Sequence, residues 1–401
     1  MVIRKEHLDK LIAWREKQVI KVVTGVRRCG KSTLFSQYIK YLKESGVTGD
    51  RIISVNLESI ENEDLLDYNS LYKYIKARLV GGKYTYVFID EVQQCKNFEK
   101  AVDSLFIKEN VDVYITGSNA EMLSGELATL LSGRYIEITM LPLSFAEYLI
   151  FTQQNDIRTG FRDYLKFGSF PYAAALEKDD AIVGPYIDGI YNTILVKDVA
   201  KREGITDIAV LESIVKFLSS NIGSPVSVKK ISDTINSGGR KISVNTVDKY
   251  LLALIKSYIF YKADRYDIKG SQHLKTQSKY YIVDPGLRGV LTAGFESDIG
   301  HLLENVFYLE LLRRGCKVNV GKFAEKEVDF VASKSGNTGG KEYYQICASV
   351  IDEGTLRREL DPLQKIQDNH PKFLLTLDDI LPDGNYEGIR RINVLKWLLE
   401  K

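Results

Sequence analysis

Four residues early in the chain have the types and the spacing of a phosphate-binding loop, Gly-x-x-x-x-Gly-Lys-Ser: Gly25, Gly30, Lys31 and Ser32. The glycines let the backbone turn tightly, so that successive N–H groups point at one anionic group. The lysine ammonium can reach the β and γ phosphates of a nucleotide, and the serine hydroxyl can hold Mg²⁺. We therefore predict that this loop binds ATP together with Mg²⁺.

The segments on both sides of the loop are those that such a loop needs. An apolar run, Val19–Val23, predicts a strand that enters the loop, and a helical pattern over Ser32–Ser45 predicts a helix that leaves it. The positive end of that helix adds to the attraction for phosphate. We predict seven nucleotide-binding residues: Gly25, Arg28, Cys29, Gly30, Lys31, Ser32 and Thr33. The side chains of Arg27 and Arg28 could face phosphate, DNA or solvent, and the sequence does not choose between these.

Two adjacent carboxylates, Asp90 and Glu91, end a second apolar strand at residues 84–89. A strand can bury apolar side chains on both of its faces, but two carboxylates at its end must contact a cation or water. This is the arrangement of a Walker B motif. We predict that Asp90 holds Mg²⁺ and that Glu91 activates the water that attacks the γ phosphate. The alternative is a strand that merely ends in a solvated acidic turn.

Two further groups are candidates for the same site. A third apolar strand, residues 111–115, leads into Thr116-Gly117-Ser118-Asn119, and we predict that Ser118 and Asn119 help to sense the bound nucleotide. Arg134 lies between the end of a predicted helix and a strand at residues 135–140, where it could stabilise charge at the γ phosphate of its own or a neighbouring subunit. The alternative for Arg134 is a surface arginine that caps the end of a helix.

The order of these elements predicts the fold of the first segment. Strand and helix patterns alternate from Ile20 to Met140, which predicts a parallel sheet covered by helices, the α/β fold of P-loop NTPases. Residues 1–18 have apolar side chains at helical spacing, so we predict a helix that packs against this domain.

These motifs resemble those of a known family, the AAA-type ATPase domain that precedes a domain of unknown function, DUF4143. The resemblance covers nearly the whole chain and rests on the following segments: the phosphate-binding loop, Ile89-Asp90-Glu91, Thr116-Gly117-Ser118-Asn119, Ser132-Gly133-Arg134, Leu141–Tyr148, Phe167–Pro171 and Val196–Val199. It implies a P-loop ATPase domain and supplies no substrate.

Residues 146–207 have mostly helical patterns that are broken at Gly168 and Pro171. They predict a helical lid or linker after the ATPase domain. Asp198 is a candidate site residue here, but we favour a solvated or helix-pairing carboxylate.

Residues 208–285 predict a winged-helix domain, because three amphipathic helical patterns are followed by two short strands. Ser243 is the predicted cap of the third helix. Residues 209–275 contain eleven Lys and Arg against five Asp and Glu, and local positive charge is what double-stranded DNA requires of a partner. The first candidates for DNA contact are Lys229, Lys230, Arg240, Lys241 and Lys249. The alternative is a structural module or a docking surface for a protein.

Residues 286–401 resemble the restriction-endonuclease-like core in their order of helix and strand patterns. Active members of that fold hold Mg²⁺ with a helical glutamate, a strand aspartate and a Glu-x-Lys motif, and Glu304 and Asp329 match the first two. The third motif reads Gln345-Ile346-Cys347, in which a neutral amide replaces the anionic ligand and a thiol replaces the ammonium. We predict that cleavage is lost or very weak. The alternative is that Glu359 or another nearby carboxylate restores the site.

Composition and charge exclude several classes of protein. A chain of 401 residues has room for two or three domains, and 44% hydrophobic with 27% charged residues is typical of a soluble globular protein. A net charge of +2 excludes a polybasic coat for nucleic acid. The sequence has no signal-peptide pattern and no bilayer-spanning apolar run, so we expect a cytoplasmic protein without membrane contact. The four cysteines form no C-x-x-C pair, which argues against zinc clusters and disulfides.

The sequence thus predicts an ATPase in four parts: an AAA-type domain at 1–145, a helical lid or linker at 146–207, a winged helix at 208–285 and an inactive nuclease-like α/β domain at 286–401, which the family resemblance identifies as DUF4143. ATP would be hydrolysed to ADP and phosphate with Mg²⁺ as cofactor, and ATP would act as a switch. Double-stranded DNA, a protein partner or a second copy of the chain are the predicted partners. Two alternatives stay open, a Mg²⁺-dependent nuclease gated by ATP and a nucleotide-dependent scaffold without turnover.

Overall fold

The computed structural model describes these residues: 3–119, 131, 133–270, 272–292, 298–323, 326–334, 340–379 and 383–400. The chain divides into two compact units, the first formed by residues 1–142 and 256–258 and the second by the rest. The helix predicted just before Gly133 falls on residues that lie outside the described ones. No helix in the described part of the chain combines the length and the apolar character needed to cross a membrane.

The first unit is built on one sheet, whose strands are β1 (Ile20–Thr24), β2 (Ile52–Asn56), β3 (Thr85–Asp90), β4 (Val111–Gly117) and β5 (Tyr135–Thr139). All pairings in it are parallel, and the strand order is β2-β3-β4-β1-β5. Strands β1, β3 and β4 are buried along nearly their whole length, as expected for strands that are covered on both faces. The predicted parallel α/β sheet is confirmed.

Helices cover both faces of this sheet: α1 (Lys5–Ala13), α2 (Lys31–Glu44), α3 (Tyr68–Lys76) and α4 (Phe98–Phe106), with short 3₁₀ helices at Gly49–Arg51, Ile60–Leu65 and Val92–Gln94. Helices α3 and α4 pack their apolar faces on the sheet to form one core. On α2, the rings of Phe35 and Tyr38 contact Phe88 of β3, and Tyr38 also contacts Tyr114 of β4. This contact fixes the start of α2 against the strands that carry the predicted site.

The second unit begins with helices: α5 (Phe145–Thr152), α6 (Ile157–Phe167), α7 (Pro171–Ala175), α8 (Asp180–Thr193), a π-helix at Ile194–Lys201, α9 (Ile208–Ser220), α10 (Val228–Ser237) and α11 (Val244–Lys256). The Ser243 hydroxyl accepts a hydrogen bond from the Thr246 amide at 3.1 Å, so Ser243 caps α11. The break at Gly168 has a structural cause. Its φ is +80°, and a Cβ there would lie 2.3 Å from Oδ1 of the buried Asp284.

A mixed sheet of eight strands follows, with four described helices in the same segment: β6 (Phe260–Asp267), β7 (Gln272–Ile282), α12 (Pro285–Thr292), α13 (Ile299–Arg313), β8 (Cys316–Phe323), β9 (Lys326–Lys334), β10 (Lys341–Cys347), α14 (Glu353–Gln364), β11 (Lys372–Thr376), β12 (Gly384–Tyr386), β13 (Ile389–Asn393) and α15 (Val394–Leu399). The strand order is β12-β13-β11-β10-β9-β8-β6-β7. The predicted order of helix, three strands, helix and strand is present from α13 to β11.

The hairpin of β6 and β7 corrects the predicted division of the second unit. Strand β6 pairs in parallel with β8, with Arg265 opposite Val320. The hairpin predicted for the winged helix therefore belongs to the same sheet as the nuclease-like segment, and residues 208–285 and 286–401 do not form separate domains. An unpaired strand edge exposes a row of hydrogen-bonding groups, and this pairing covers that edge of β6 from Arg265 to Asp267.

Candidate active site

The phosphate-binding loop connects the end of β1 to the start of α2, as predicted. Gly25 has a φ of +145°, and a Cβ at this position would lie 2.0 Å from the carbonyl oxygen of Met140. Gly30, which directly precedes α2, has a φ of +107°. Both positions therefore require glycine. Arg28 is exposed and is also left-handed, with a φ of +68°.

Lys31 is the first residue of α2, and its side chain is buried over the loop. Its Nζ atom donates hydrogen bonds to the carbonyl oxygens of Gly25 at 3.0 Å and Val26 at 3.2 Å. The same Nζ lies 3.5 Å from Oε1 of Glu91. The loop lysine and the second carboxylate of the Walker B motif therefore form one buried ion pair.

Thr116 on β4 contacts both residues of the Walker B motif. Its hydroxyl donates a short hydrogen bond to Oδ1 of Asp90 and accepts one from the backbone N–H of Glu91 at 2.9 Å. Glu91 has a φ of +53°, which non-glycine residues rarely adopt. The threonine hydroxyl thus fixes the position of Asp90 and the turn of the backbone at Glu91.

The environment separates the acidities of the two carboxyl groups. Burial raises the pKa of Asp90 above its ordinary value, although hydrogen bonds from Ser32 and Thr116 act in the opposite direction. Burial also disfavours the charged form of Glu91, but the ammonium of Lys31 leads a set of interactions that outweighs it and lowers the pKa of Glu91. Glu91 is therefore ionised at neutral pH, as a group that accepts a proton from water must be.

Gln93 and Ser118 support Glu91; the sequence reasoning missed Gln93 and gave Ser118 only as a candidate sensor of the nucleotide. The Gln93 Nε2 atom donates to Oε2 of Glu91 at 2.5 Å and to Oγ of Ser118 at 3.2 Å. Ser118 and Asn119 are buried directly after β4, which lies between β1 and β3 in the sheet. The only signal in the sequence was the position of these polar residues just after strand ends.

The sequence left open the roles of Arg28, which is exposed, and of Arg27. Its Nη1 atom donates to Oε1 of Glu58 at 2.8 Å, and its positive charge contributes to the lowered pKa of Glu91. Arg27 therefore belongs to the electrostatic surroundings of the Walker B carboxylate. Cys29 is fully buried, and burial raises the pKa of its thiol, so it packs in the loop as a neutral group.

The residues of this site lie inside a match to a known protein family. The family described as "AAA domain" matches residues 17–149, which contain every residue of the site. An uncharacterized protein of Haemophilus influenzae is 39% identical over 100% of this chain and 99% of its own length. An uncharacterized protein of Methanocaldococcus jannaschii is 30% identical over 94% of this chain and 84% of its own length.

The chain belongs to the same family as these two uncharacterized proteins, and its residues 17–149 form an AAA-type P-loop domain. Among solved structures, the Walker-type ATPase PABY2304 of Pyrococcus abyssi superposes with a TM-score of 0.50 at 15% identity, over 73% of this chain and 96% of that one. This likeness shows a shared fold.

The second half of the predicted family resemblance was wrong. Residues 158–298 of this AAA-domain protein match a domain of unknown function, DUF8612, and not DUF4143. The two mid-chain segments behind the DUF4143 resemblance, Phe167–Pro171 and Val196–Val199, both lie inside the DUF8612 match. The first of these segments has a structural role, because the backbone N–H and the hydroxyl of Ser169 both donate hydrogen bonds to the Asp284 carboxylate.

Arg134 does not lie at the phosphate-binding loop of its own chain. It directly precedes β5, and β5 pairs in parallel with β1 so that Tyr135 lies opposite Ile20, at the start of β1. The loop follows the other end of β1, roughly 16 Å away at about 3.3 Å per residue. The guanidinium is half-exposed, 3.9 Å from Asp103. A role of Arg134 in its own site is therefore excluded, and a role in a neighbouring subunit stays a prediction.

The predicted residues of the second unit have mixed outcomes. All five basic candidates for DNA contact are exposed: Lys229, Lys230, Arg240, Lys241 and Lys249. Asp198 is buried, and its carboxylate lies 3.7 Å from the guanidinium of Arg202, one helical turn away. Of the two predicted roles, it therefore has that of a carboxylate paired within its helix and not that of a solvated one. Glu304 and Asp329 are brought together around the ammonium of Lys279, which the sequence reasoning did not anticipate.

Proposed function

We propose that this protein hydrolyses ATP to ADP and phosphate in the site between the phosphate-binding loop and the tip of β3. The observation that carries the proposal is the placement of Glu91, 3.5 Å from Lys31 and held at its backbone by Thr116. A protein that only binds nucleotide does not need a buried, ionised carboxylate beside the phosphate-binding lysine. The alternative of a scaffold without turnover does not account for Glu91.

The residues have separate roles in this proposal. The loop amides and Lys31 bind the phosphates, and Glu91 accepts a proton from the attacking water. Ser32 and Asp90 fit Mg²⁺, because they offer two oxygen ligands that are already joined by a hydrogen bond. Bound there, Mg²⁺ would neutralise charge on the phosphates. Asn119, buried just beyond β4, is the proposed sensor of the nucleotide.

The test is the release of phosphate from ATP by the full-length chain. Lys31→Ala removes the cation that binds phosphate, and we expect turnover to fall at least about a hundredfold. Lys40→Ala is the matched control, because Lys40 lies on the same helix and its side chain is 77% exposed. Turnover in Lys31→Ala that equals turnover in Lys40→Ala would refute the proposal.

We further propose that ATP acts as a switch in a process that involves double-stranded DNA. The supporting observation is that five basic side chains of α10, α11 and the loop between them are all exposed: Lys229, Lys230, Arg240, Lys241 and Lys249. Exposed basic groups gathered in one short segment can contact successive phosphates of a duplex. Docking of an acidic protein surface is the alternative that the test must separate.

A further inference from the structure

Lys279 on β7 lies at the centre of an acidic cluster in the second unit. Its Nζ atom lies 2.7 Å from Oε1 of Glu327, 3.0 Å from Oε1 of Glu304 and 3.7 Å from Oδ1 of Asp329. The side chain of Lys279 is only 3% exposed. One buried ammonium therefore serves three carboxylates, two of which match the metal-binding positions of the nuclease-like fold.

Two of these carboxylates also accept hydrogen bonds from other groups of the chain. The Tyr281 hydroxyl donates to Oε1 of Glu304 at 2.6 Å, and the Ile346 amide donates to Oδ2 of Asp329 at 2.9 Å. The predicted substitute carboxylate, Glu359, accepts a hydrogen bond from Gln345 Nε2 at 2.9 Å. Glu359 is thus engaged with the neutral amide and with Arg358, and it does not complete a set of ligands with Asp329.

A divalent cation does not fit this arrangement. Mg²⁺ requires close to octahedral oxygen coordination at about 2.0–2.1 Å, and an ammonium among the candidate ligands repels a second cation. The residue at the third nuclease position, Gln345, has no charge to offer. Within the described part of the chain, no cluster of three or more His, Cys, Asp or Glu residues has an arrangement suited to a metal ion.

We propose that the ammonium of Lys279 permanently takes the place of the nuclease metal, so that Glu304, Glu327 and Asp329 form a closed ion cluster that binds no divalent cation and cleaves no nucleic acid. The cluster ties together α13, β7 and β9 of the second unit. This proposal is independent of ATP hydrolysis in the first unit.

The electrostatics of the cluster agree with this assignment. The three carboxylates outweigh the effect of burial and raise the pKa of Lys279, so its ammonium stays charged. Burial, followed by the charge of Glu304, raises the pKa of Asp329 to about 8.

The test is titration of the nucleotide-free, full-length chain with Mn²⁺, followed by the electron paramagnetic resonance signal of free Mn²⁺. Asp90→Asn is included in every sample, so that the metal ligand of the ATP site is removed. We expect no Mn²⁺ bound at the cluster in this background. We expect one Mn²⁺ per chain after Lys279→Ala, with an affinity at least about tenfold higher than the background, and loss of that ion after the further change Asp329→Asn.

The matched control is Lys262→Ala, because Lys262 lies on the neighbouring strand β6 and pairs with Asp264 at 2.8 Å at the surface. It should gain no Mn²⁺. A folded Lys279→Ala chain that gains no Mn²⁺ would overturn the proposal. If Lys279→Ala does not fold, the background chain decides: Mn²⁺ bound there and lost in Asp329→Asn overturns the proposal, and so does Mg²⁺-dependent plasmid cleavage that Asp329→Ala abolishes. Absence of both supports it.

Discussion

The Nζ atom of Lys31 lies 3.5 Å from Oε1 of Glu91 while it donates hydrogen bonds to the carbonyl oxygens of Gly25 and Val26. The cation that should bind phosphate is therefore held by its own loop and by the carboxylate that should activate water. A triphosphate would compete with these partners for the ammonium. Release of Lys31 from Glu91 would leave that carboxylate available to a water molecule, so this contact links nucleotide binding to the readiness of the base.

Arg27 should set the pH at which Glu91 loses its function. Glu91 has a lowered pKa, so it stays ionised until the pH falls below its ordinary value, and the charge of Arg27 contributes to this. Arg27→Ala should raise the pKa of Glu91, and the acidic limb of the kcat–pH profile should move to higher pH, because only the ionised base acts. Arg27→Lys keeps the charge and should keep the limb near its original position. An acidic limb that does not move in Arg27→Ala contradicts this role.

Gly25 should tolerate no side chain. A Cβ at position 25 would lie 2.0 Å from the carbonyl oxygen of Met140. The residue that carries it would also have to adopt a φ of +145°. We expect Gly25→Ala to lower the free energy of unfolding of the first unit by about 2–4 kcal/mol and to weaken ATP binding. Gly49→Ala is the control, because nothing lies within 4 Å of a Cβ there. Denaturant unfolding compares the two variants, and equal stability would show that the loop can relax around the new methyl group.

The nucleotide site could largely be predicted from sequence because its chemistry is local. Gly25 to Thr33 is one continuous segment, and the pair of Asp90 and Glu91 ends one strand, so spacing alone indicates their roles. The prediction that Arg134 acts in the site of its own chain was wrong, because the order of segments in a sequence does not reveal which strands are neighbours in the sheet. Its distance from the loop depends on the pairing of β5 with β1, which is a property of the folded sheet.

Lys279 could not be predicted for a related reason. Its strand, β7, was assigned to a separate winged helix, and the local sequence around Lys279 has no catalytic pattern. Only the pairing of the hairpin with β8 brings this lysine to Glu304 and Asp329. The sequence shows that Gln345 and Cys347 depart from the nuclease motif. It does not show that the ammonium of Lys279 lies beside the two carboxylates that match the motif, Glu304 and Asp329.

A second buried ion pair, Lys21 with Asp112, should be important for stability. Both side chains are almost fully buried, and burial lowers the pKa of Lys21 and raises that of Asp112. Lys21→Met leaves Asp112 without its counter-charge and should cost about 3–5 kcal/mol in free energy of unfolding. The double change Lys21→Met with Asp112→Leu should recover much of this loss.

The control for this pair is Lys5→Met, because Lys5 and Asp9 form an exposed ion pair on α1. Its effect on the free energy of unfolding should stay within about 0.5 kcal/mol. Urea unfolding of the three variants gives the comparison. Equal effects of Lys21→Met and Lys5→Met would mean that the buried pair is already neutral in the folded chain.

The proposed DNA surface makes a prediction about salt. A variant with five alanines replaces these residues together: Lys229, Lys230, Arg240, Lys241 and Lys249. We expect its affinity for duplex DNA to fall. The slope of log affinity against log salt concentration should become shallower by up to about 4–5, because a protein with fewer phosphate contacts releases fewer counterions when it binds.

The control variant removes the same number of exposed lysines from the first unit: Lys40, Lys43, Lys73, Lys76 and Lys83. Fluorescence anisotropy with a labelled duplex at several salt concentrations measures both variants. If the two variants bind DNA as tightly as the unaltered chain does, the basic segment is not a DNA surface, and an acidic protein partner becomes the better candidate for it.

The central claim is that Glu91 makes this site hydrolytic, and the most direct measurement is a single-turnover assay of Glu91→Gln beside its affinity for ATP with Mg²⁺. Glutamine keeps the size of the side chain and its contact with Gln93, but it cannot accept a proton from water. We predict ATP affinity no weaker than that of the unaltered chain, because Glu91 no longer competes for the Lys31 ammonium, and a cleavage rate at least about a hundredfold lower. Cleavage of bound ATP by Glu91→Gln at the rate of the unaltered chain would contradict the claim.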